Sequence, residues 1–181
     1  MLTDIDLASI QFITFNMRPE DKEEVFALLP HDSPYQLAWE AFVLFRNKGR
    51  SQIAWHQGRP AAVIAITECR KGVWDISMFG TGDFKSVALA CMRWARDTIP
   101  DLIINHHGRR LQCDSHINHE AAHRFLKALG ARPEGVPMKH FGKDGSAFQR
   151  FVWLFGENGF VSQNGKAVGP IDDDEKIAAV A

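Results

Sequence analysis

Residues 73–98 read VWDISMFGTGDFKSVALACMRWARDT, which places a strand, a glycine loop and a helix in direct succession. Residues 73–79 are predicted to form the strand, and the loop GTGD at 80–83 leads into a helix over 84–98, whose apolar side chains recur at helical spacing. Helix N-termini leave amide donors free and carry partial positive charge. This arrangement is therefore typical of a phosphate-binding loop.

Six residues of the loop and the first helical turn are candidates for holding a phosphate. Glycine allows the backbone to come close to a ligand, and Lys85 adds a positive charge. An ordinary turn before a helix is the alternative interpretation of the same stretch. The candidates are Gly80, Thr81, Gly82, Phe84, Lys85 and Ser86.

The chain before this stretch is predicted to contain a strand, two helices and two more strands. Pro19 suits the first position of one helix, and Ser33 is a suitable cap for the next. The strand at 61–67 is apolar enough to be buried on both faces. The predicted elements are a strand at 11–15, helices at 19–29 and 34–48, and strands at 51–55 and 61–67.

The chain after this stretch is predicted to continue with strands and one more helix. Pro100 should end the third helix, and Asn118 should cap the fourth, which Gly130 terminates. The predicted extended segments are 102–104, 111–117, 138–141 and 148–155, the last two forming a hairpin. The element order indicates an α/β (α+β) domain over residues 1–155, with a central, mostly antiparallel mixed sheet flanked by about four helices. Residues 156–181 are glycine-rich and then acidic, which predicts a mobile tail.

Composition narrows the class of protein. The chain has 181 residues, with 45% hydrophobic and 24% charged residues and a formal net charge of -1. This balance argues against a dedicated nucleic-acid binder, which would need an excess of basic residues. No apolar run approaches a membrane span, and the N-terminus lacks a signal-peptide pattern, so we expect a cytoplasmic protein. The three cysteines are expected to be free thiols in a reducing compartment.

The element order over residues 11–155 resembles the GNAT (GCN5-related N-acetyltransferase) superfamily. The strand, loop and helix at 73–98 resemble the family's pyrophosphate-binding element. The stretch AHRFLKALGA at 122–131 resembles its penultimate helix. The resemblance implies acetyl-CoA as cosubstrate, an unidentified amine as acceptor, and cofactor contacts that include Phe79 and Asn118 beside the six loop residues.

A narrower resemblance is to the small GNAT-like internal virion proteins of T7-like phages. It rests on FNMRP at 15–19, HRFLKALGA at 123–131, GKDGS at 142–146 and FQRF at 148–151. It implies a phage-encoded protein in the host cytoplasm or the virion, with a virion or host protein as partner. A homodimer is a further alternative.

Several positions depart from the family pattern. Ser77 and Met78 precede the loop where the family has Arg or Gln, and Lys85 stands at the second glycine position. The family's tyrosine acid aligns with Leu126, which has no proton to donate. The candidate bases, which would take a proton from the amine, are Asp75 and Glu68. A GNAT-fold virion or host-interaction module without turnover is therefore the alternative to an N-acyltransferase.

The stretch His119-Glu120-Ala121-Ala122-His123 is a literal H-E-x-x-H pattern, which on a helix binds zinc in metalloproteases. A zinc hydrolase is therefore a third hypothesis. The pattern starts in the first turn of the predicted helix, and its third ligand would have to be Glu134 or His140, across a turn with two prolines. We therefore expect no metal site.

Overall fold

The computed structural model describes residues 1–156 and 159–160. Its strands are β1 (Leu2–Thr3), β2 (Gly49–His56), β3 (Arg59–Arg70), β4 (Val73–Gly80), β5 (Arg110–His116), β6 (Arg132–Pro133), β7 (Phe148–Gly156) and β8 (Gly159–Phe160). The first seven form one mixed sheet in the order β1-β2-β3-β4-β5-β7-β6, and β8 pairs with β7. Neighbouring strands are antiparallel except β4 and β5, which run parallel.

Helices cover both faces of this sheet. They are α1 (Leu7–Phe15), α2 (Pro19–Ala27), α3 (Pro34–Asn47), α4 (Ala88–His106) and α5 (Glu120–Ala128). Successive strand residues point to opposite faces. Accordingly Val63 and Phe79 enter the core beneath α1, α2 and α3, whereas Ile64 and Ile76 enter the core beneath α4 and α5.

The sheet splays open between β4 and β5. These strands pair only at Val73 with Arg110, Trp74 with Leu111 and Asp75 with Gln112. Beyond these pairs the two strands diverge, so residues 76–80 of β4 have a sheet partner only on the β3 side. The single parallel pairing therefore ends in a wedge-shaped gap inside the sheet.

Local sequence signals position α2 and α3 as predicted. Pro19 and Pro34 occupy the first turns of the two helices, where a missing N–H costs nothing. Ser33 caps α3 by accepting a hydrogen bond from the Gln36 amide at 3.2 Å. Glu20 and Asp21 in the first turn of α2 complement its dipole.

The strand predicted at residues 11–15 is wrong, because this segment lies in α1. Asp6 caps the helix by accepting a hydrogen bond from the Ser9 amide at 2.8 Å. Ile10 and Ile13, three residues apart, are fully buried on one side of the helix. The alternation that suggested a strand is thus outweighed by a helical spacing that begins before residue 11.

The third predicted helix does not end at Pro100, and the extended segment predicted at 102–104 is wrong. α4 continues through Pro100 to His106. Pro100 is exposed, whereas Ile99 and Leu102 extend the buried stripe of the helix. The carbonyl that loses its donor therefore lies towards the outer side, and apolar packing offsets the missing hydrogen bond.

Two smaller predictions also change. Asn118 is not the cap of the fourth predicted helix, because α5 begins at Glu120 with His119 in the cap position and no side-chain cap bond. The hairpin predicted at 138–141 is reduced to a single bridge between Met138 and Phe148. β7 instead pairs with β5 and the short β6.

The remaining expectations concern the tail, the membrane and the cysteines. Apart from Gly156 and Gly159–Phe160, the predicted mobile tail at 156–181 lies outside the described residues. Within the described residues, the helices are too short or too polar to cross a membrane. The three cysteines are free, as expected.

Candidate functional site

A cavity of about 550 Å³ occupies the gap between β4 and β5. Residues 75–79 of β4 and 112–115 of β5 form its floor and edges, and side chains of α2, α3 and α5 form its walls. The cavity therefore lies where the topology breaks the sheet. Of the predicted site residues, Asp75 and Phe79 line it.

The edge of β4 along this cavity is open for pairing. The Gly80 amide donates to the Asp21 carboxylate at 2.7 Å, and the Gly80 carbonyl accepts from the Arg18 amide at 2.9 Å, so both groups point away from β3. Amide and carbonyl directions alternate along a strand, so both groups of Met78 and the carbonyl of Ile76 point into the gap, whereas the Ile76 amide belongs to the last pairing with β5. A ligand with amide groups could pair with this edge.

The two predicted carboxylates lie in different surroundings. Asp75 is half-buried in the cavity wall and makes no ion pair among the residues that the structure describes. Glu68 instead accepts a hydrogen bond from the Gly72 amide at 2.9 Å, at the turn between β3 and β4, and does not line the cavity. The geometry thus brings Asp75, and not Glu68, to the cavity.

A salt bridge adjoins Asp75 on the cavity floor. Arg150 donates through Nε and Nη2 to both carboxylate oxygens of Asp114, each at 2.7 Å. The Asp114 carboxylate raises the pKa of the Arg150 guanidinium, which therefore stays charged. Bidentate pairing of this kind fixes the orientation of both side chains.

Glu24 on α2 is a central residue of the cavity wall that sequence reasoning missed. Its Oε2 atom accepts hydrogen bonds from Ser115 Oγ at 2.6 Å and the His116 amide at 2.7 Å, and lies 3.0 Å from His119 Nδ1. One carboxylate thereby joins α2 to the end of β5 and the start of α5. These partners are 91 to 95 residues away in sequence, so no local signal could have indicated them.

Asp21, one turn before Glu24, makes the matching connection to β4. It is almost fully buried, accepts the Gly80 amide, and pairs with Arg18 Nε at 2.8 Å. His119 Nε2 lies 3.6 Å from the other Asp21 oxygen. The α2 strap, defined as Asp21 and Glu24 with these partners, therefore spans the mouth of the gap from β4 to β5.

The pKa of His119 reflects both carboxylates of the α2 strap. Burial by itself lowers the pKa of the ring, but the hydrogen bond to Glu24 and the charges of Glu24 and Asp21 raise it above its usual value. An imidazolium between two carboxylates is favourable because each opposite charge stabilises the protonated form. The network therefore favours the protonated, cationic form of His119.

The predicted phosphate loop folds into a 3-10 turn at Gly82–Ser86. Four amides of residues 80–84 already have protein partners. Gly80 is required for packing, because a Cβ there would lie 2.8 Å from the Ala61 carbonyl oxygen. A Cβ on Gly82 would instead meet open space. The four donors are Gly80 to Asp21, Thr81 to the Ala61 carbonyl, Asp83 to Thr81 Oγ1, and Phe84 to the Thr81 carbonyl.

Aromatic contacts separate this loop from the cavity. The Arg18 guanidinium lies 4.1 Å above the Phe84 ring, and Phe84 packs edge-on against Phe125 at 6.2 Å between ring centroids. Phe125 lines the cavity, whereas the loop from Gly80 to Ser86 does not. Asn118 does not line the cavity either, and its amide donates to His116 Nδ1 at 3.3 Å.

The H-E-x-x-H pattern has other partners for each histidine. His119 faces Glu24 and Asp21, while His123 packs on the Phe151 ring at 4.9 Å, and burial lowers the pKa of His123. Within the described ranges, no group of three or more His, Cys, Asp or Glu side chains is arranged to hold a metal ion.

Comparison with solved structures identifies the fold. The GNAT-family acetyltransferase of Bacillus anthracis superposes with a TM-score of 0.63 at 10% identity, over 84% of this chain and 93% of that one. RimL, a ribosomal L7/L12 alpha-N-protein acetyltransferase in complex with coenzyme A, gives 0.63 at 11% identity, over 84% and 92%. The ribosomal-protein-S18-alanine N-acetyltransferase of Escherichia coli gives 0.62 at 14%, over 87% and 97%.

The chain thus has the GNAT acyl-CoA N-acyltransferase fold, which confirms the predicted fold class. Comparisons by sequence give a different result, since no protein-family model and no curated protein matches the chain. At such low identity the likeness concerns the fold alone.

Proposed function

We propose that this protein is an acyl-CoA-dependent N-acyltransferase, which transfers an acetyl group from acetyl-CoA to an amine. The observation that carries the proposal is the open edge of β4 beside a cavity that contains Asp75. The structural neighbours are acetyltransferases, and one of them is in complex with coenzyme A. Fold and cavity therefore support the same reaction class.

The cosubstrate would bind along β4. Pantetheine is an extended chain with two amide groups, and such chains add to an exposed strand edge through main-chain hydrogen bonds. The Ile76 carbonyl and the amide and carbonyl of Met78 would supply the pairing groups, with Phe79 beside them in the wall. The Gly82 amide and the side chains of Lys85 and Ser86 remain as the loop groups that would meet the pyrophosphate, because the amides of Lys85 and Ser86 belong to the 3-10 turn. Asn118 would flank the cofactor.

The reaction needs one proton acceptor. The amine substrate arrives as an ammonium ion. Asp75, directly or through water, would remove one of its protons, so that the nitrogen lone pair can attack the thioester carbonyl. The C–N bond forms and the C–S bond breaks. The departing thiolate takes the second proton that the nitrogen releases, giving the amide and CoA thiol. Glu68 would serve only to close its turn.

The proton donor for the thiolate is not a tyrosine side chain in the cavity. Leu126 lines the cavity where the family resemblance places the acid, and Tyr35 is 62% exposed and does not line the cavity. The thiolate would therefore receive its proton from the reacting nitrogen, directly or through water, and turnover would depend on positioning. We expect a slow enzyme.

The test is binding of acetyl-CoA, measured by calorimetry and by melting temperature. A ligand that binds only the native state stabilises it, by about 2.7 kcal/mol at a concentration of 100 Kd. Gly82→Val should abolish the shift, because its branched side chain enters the proposed phosphate path without meeting protein atoms. Absence of both heat and shift at millimolar acetyl-CoA contradicts the proposal.

Lys85→Ala should weaken acetyl-CoA binding about fivefold at low salt and less at high salt. A single exposed ion pair contributes up to about 1 kcal/mol, and salt screens it. Lys139→Ala is the matched control, because Lys139 is also exposed and lies between β6 and β7, outside the loop. Equal effects of the two variants would mean that Lys85 does not contact the phosphates.

A GNAT-fold module without turnover, phage-encoded and bound to a virion or host protein, is the second candidate. It is supported by the four loop amides that already have partners and by Leu126 in the acid position. Its location would be the host cytoplasm or the virion. Acetyl-CoA binding without acetyl transfer to any primary amine would favour this candidate.

A further inference from the structure

We infer that the acceptor is a primary amine carried on an apolar stem, with the ammonium group at the carboxylates of the cavity and the stem against α2 and α3. The inference rests on the proposed function, because it concerns the acceptor side of the same cavity. It adds a chemical class of acceptor and excludes polyamines.

Most side chains on the wall formed by α2 and α3 are apolar, and Glu24 and Glu40 are the two carboxylates on it. Leu28 and Leu44 are each 42% exposed although they line the cavity, which places them at its opening. Leu29, Leu37 and Phe45 continue the same wall inwards. An entering molecule therefore has aliphatic and aromatic side chains beside it from the opening to the floor.

Acidic side chains lie on the floor, as Asp75 and Asp114, and on the α2 and α3 wall, as Glu24 and Glu40. Glu24, Glu40, Asp75 and Asp114 line the cavity together with one cation, Arg150. Arg150 is paired with Asp114, and Glu24 and Glu40 face His119 and His31. Among the described residues, Asp75 is therefore the lining carboxylate without an ion-pair partner. A cationic group is favoured in such a cavity because low-dielectric walls strengthen its attraction to the carboxylates.

Asp75 is the carboxylate that best suits the ammonium group. Glu24 already accepts three donors, and Glu40 accepts from Gln36 at 2.9 Å and faces His31 at 3.1 Å. Asp75 makes no ion pair among the described residues and lies beside the open β4 edge. Charge at one end and apolar side chains at the other therefore match a singly charged, amphipathic amine.

The experiment compares n-hexylamine with 1,6-diaminohexane, two probes that share one stem. Each is titrated calorimetrically into the full chain, with and without millimolar CoA. Burial of each methylene favours binding about fourfold, whereas the second ammonium group of the diamine would have to be desolvated against leucines. We expect hexylamine to bind at least about tenfold more tightly. Equal or tighter binding of the diamine overturns the inference.

Variants test whether the preference for hexylamine depends on the leucines of the α2 and α3 wall. Leu28→Gln and Leu44→Gln should each reduce the preference for hexylamine by about threefold to tenfold without unfolding the protein, because both side chains are partly exposed. Leu154→Gln, at a residue that is 49% exposed on β7 outside the cavity, is the matched control and should leave it unchanged. Asp75→Asn should weaken both probes. A preference that is insensitive to Leu28 and Leu44 overturns the inference.

Two further measurements test whether the amine belongs to a peptide, and separate failure of the amine pocket from failure of the proposed acyltransferase function. Tetrapeptides that begin with leucine or lysine test whether the stem belongs to a polypeptide N-terminus, and acetylation of the leucine peptide alone would assign it there. Leucine-dependent hexylamine binding in a protein that fails to bind acetyl-CoA would overturn the acyltransferase proposal while supporting the amine pocket.

Discussion

Single residues show which parts of the site local sequence can indicate. Asp75 was predicted because it lies on the strand that enters the loop, and its position in the strand also places it in the cavity. Glu24 gave no such signal, because a glutamate in an acidic helical turn resembles a solvated surface residue. Only the fold brings Ser115 and His119 to it. The loop amides were predicted to be available to a ligand, but those of Gly80 and Thr81 have tertiary partners, and those of Asp83 and Phe84 donate to Thr81 within the loop.

Glu24→Ala should destabilise the protein by about 2–3 kcal/mol. Removing the carboxylate leaves Ser115, the His116 amide and His119 without their acceptor, and hydrogen bonds to charged groups contribute about 1.5–3 kcal/mol. Glu23→Ala is the matched control, because the neighbouring Glu23 is 63% exposed against 14% for Glu24. Urea unfolding measures both. A loss below about 1 kcal/mol for Glu24→Ala would contradict the role given to this residue.

At the scale of elements, helices with caps and a proline at the start were predicted well. α2 and α3 begin where Pro19 and Ser33 indicated. α1 and the end of α4 were missed for the opposite reason. Their helical form depends on buried stripes, Ile10 with Ile13 and Ile99 with Leu102, that become decisive only once the sheet supplies a surface to pack against.

Asp6→Ala should destabilise the protein by about 1 kcal/mol, because it removes the N-cap of α1. The Asp6 carboxylate accepts from both the amide and the hydroxyl of Ser9, at 2.8 and 2.6 Å. Asp4→Ala, two residues earlier and outside the helix, should change the free energy of unfolding by less than about 0.5 kcal/mol. Thermal unfolding measures the stability of both variants. Equal destabilisation by Asp6→Ala and Asp4→Ala would argue against a capped helix in this segment.

For the whole molecule, the strap from α2 to β4 and β5 makes stability depend on pH. The pKa of His119 is raised in the folded state. Its contribution to the free energy of unfolding is therefore fully present below the pKa of about 6.5 in the unfolded chain, and is lost as the pH rises through the higher pKa of the folded state. The groups that face it are Glu24, Asp21 and Arg18. His123 has a lowered pKa, mainly through burial, and its contribution is lost in the other direction, as pH falls below about 6.5.

His119→Gln should therefore lose more stability at pH 6 than at pH 9. The comparison of wild type with the variant isolates His119, since the other titrating groups remain in both proteins. Urea unfolding at pH 6, 7, 8 and 9 gives the difference in the free energy of unfolding at each pH. A difference that is constant over this range, or that grows towards pH 9, would show that the ring is not held as a cation.

The strap also orders events during synthesis. The Glu24 side chain and its partner Ser115 are 91 residues apart, and translation at about 5–20 residues per second separates them by about 5–18 seconds. The antiparallel strands from β2 to β4 lie between them in sequence, so their pairings can form while the ribosome is still translating towards Ser115. Asp21 has Arg18 beside it from the start, but the nascent chain carries Glu24 on α2 before Ser115 and His119 exist, so water solvates this carboxylate until β5 and α5 emerge.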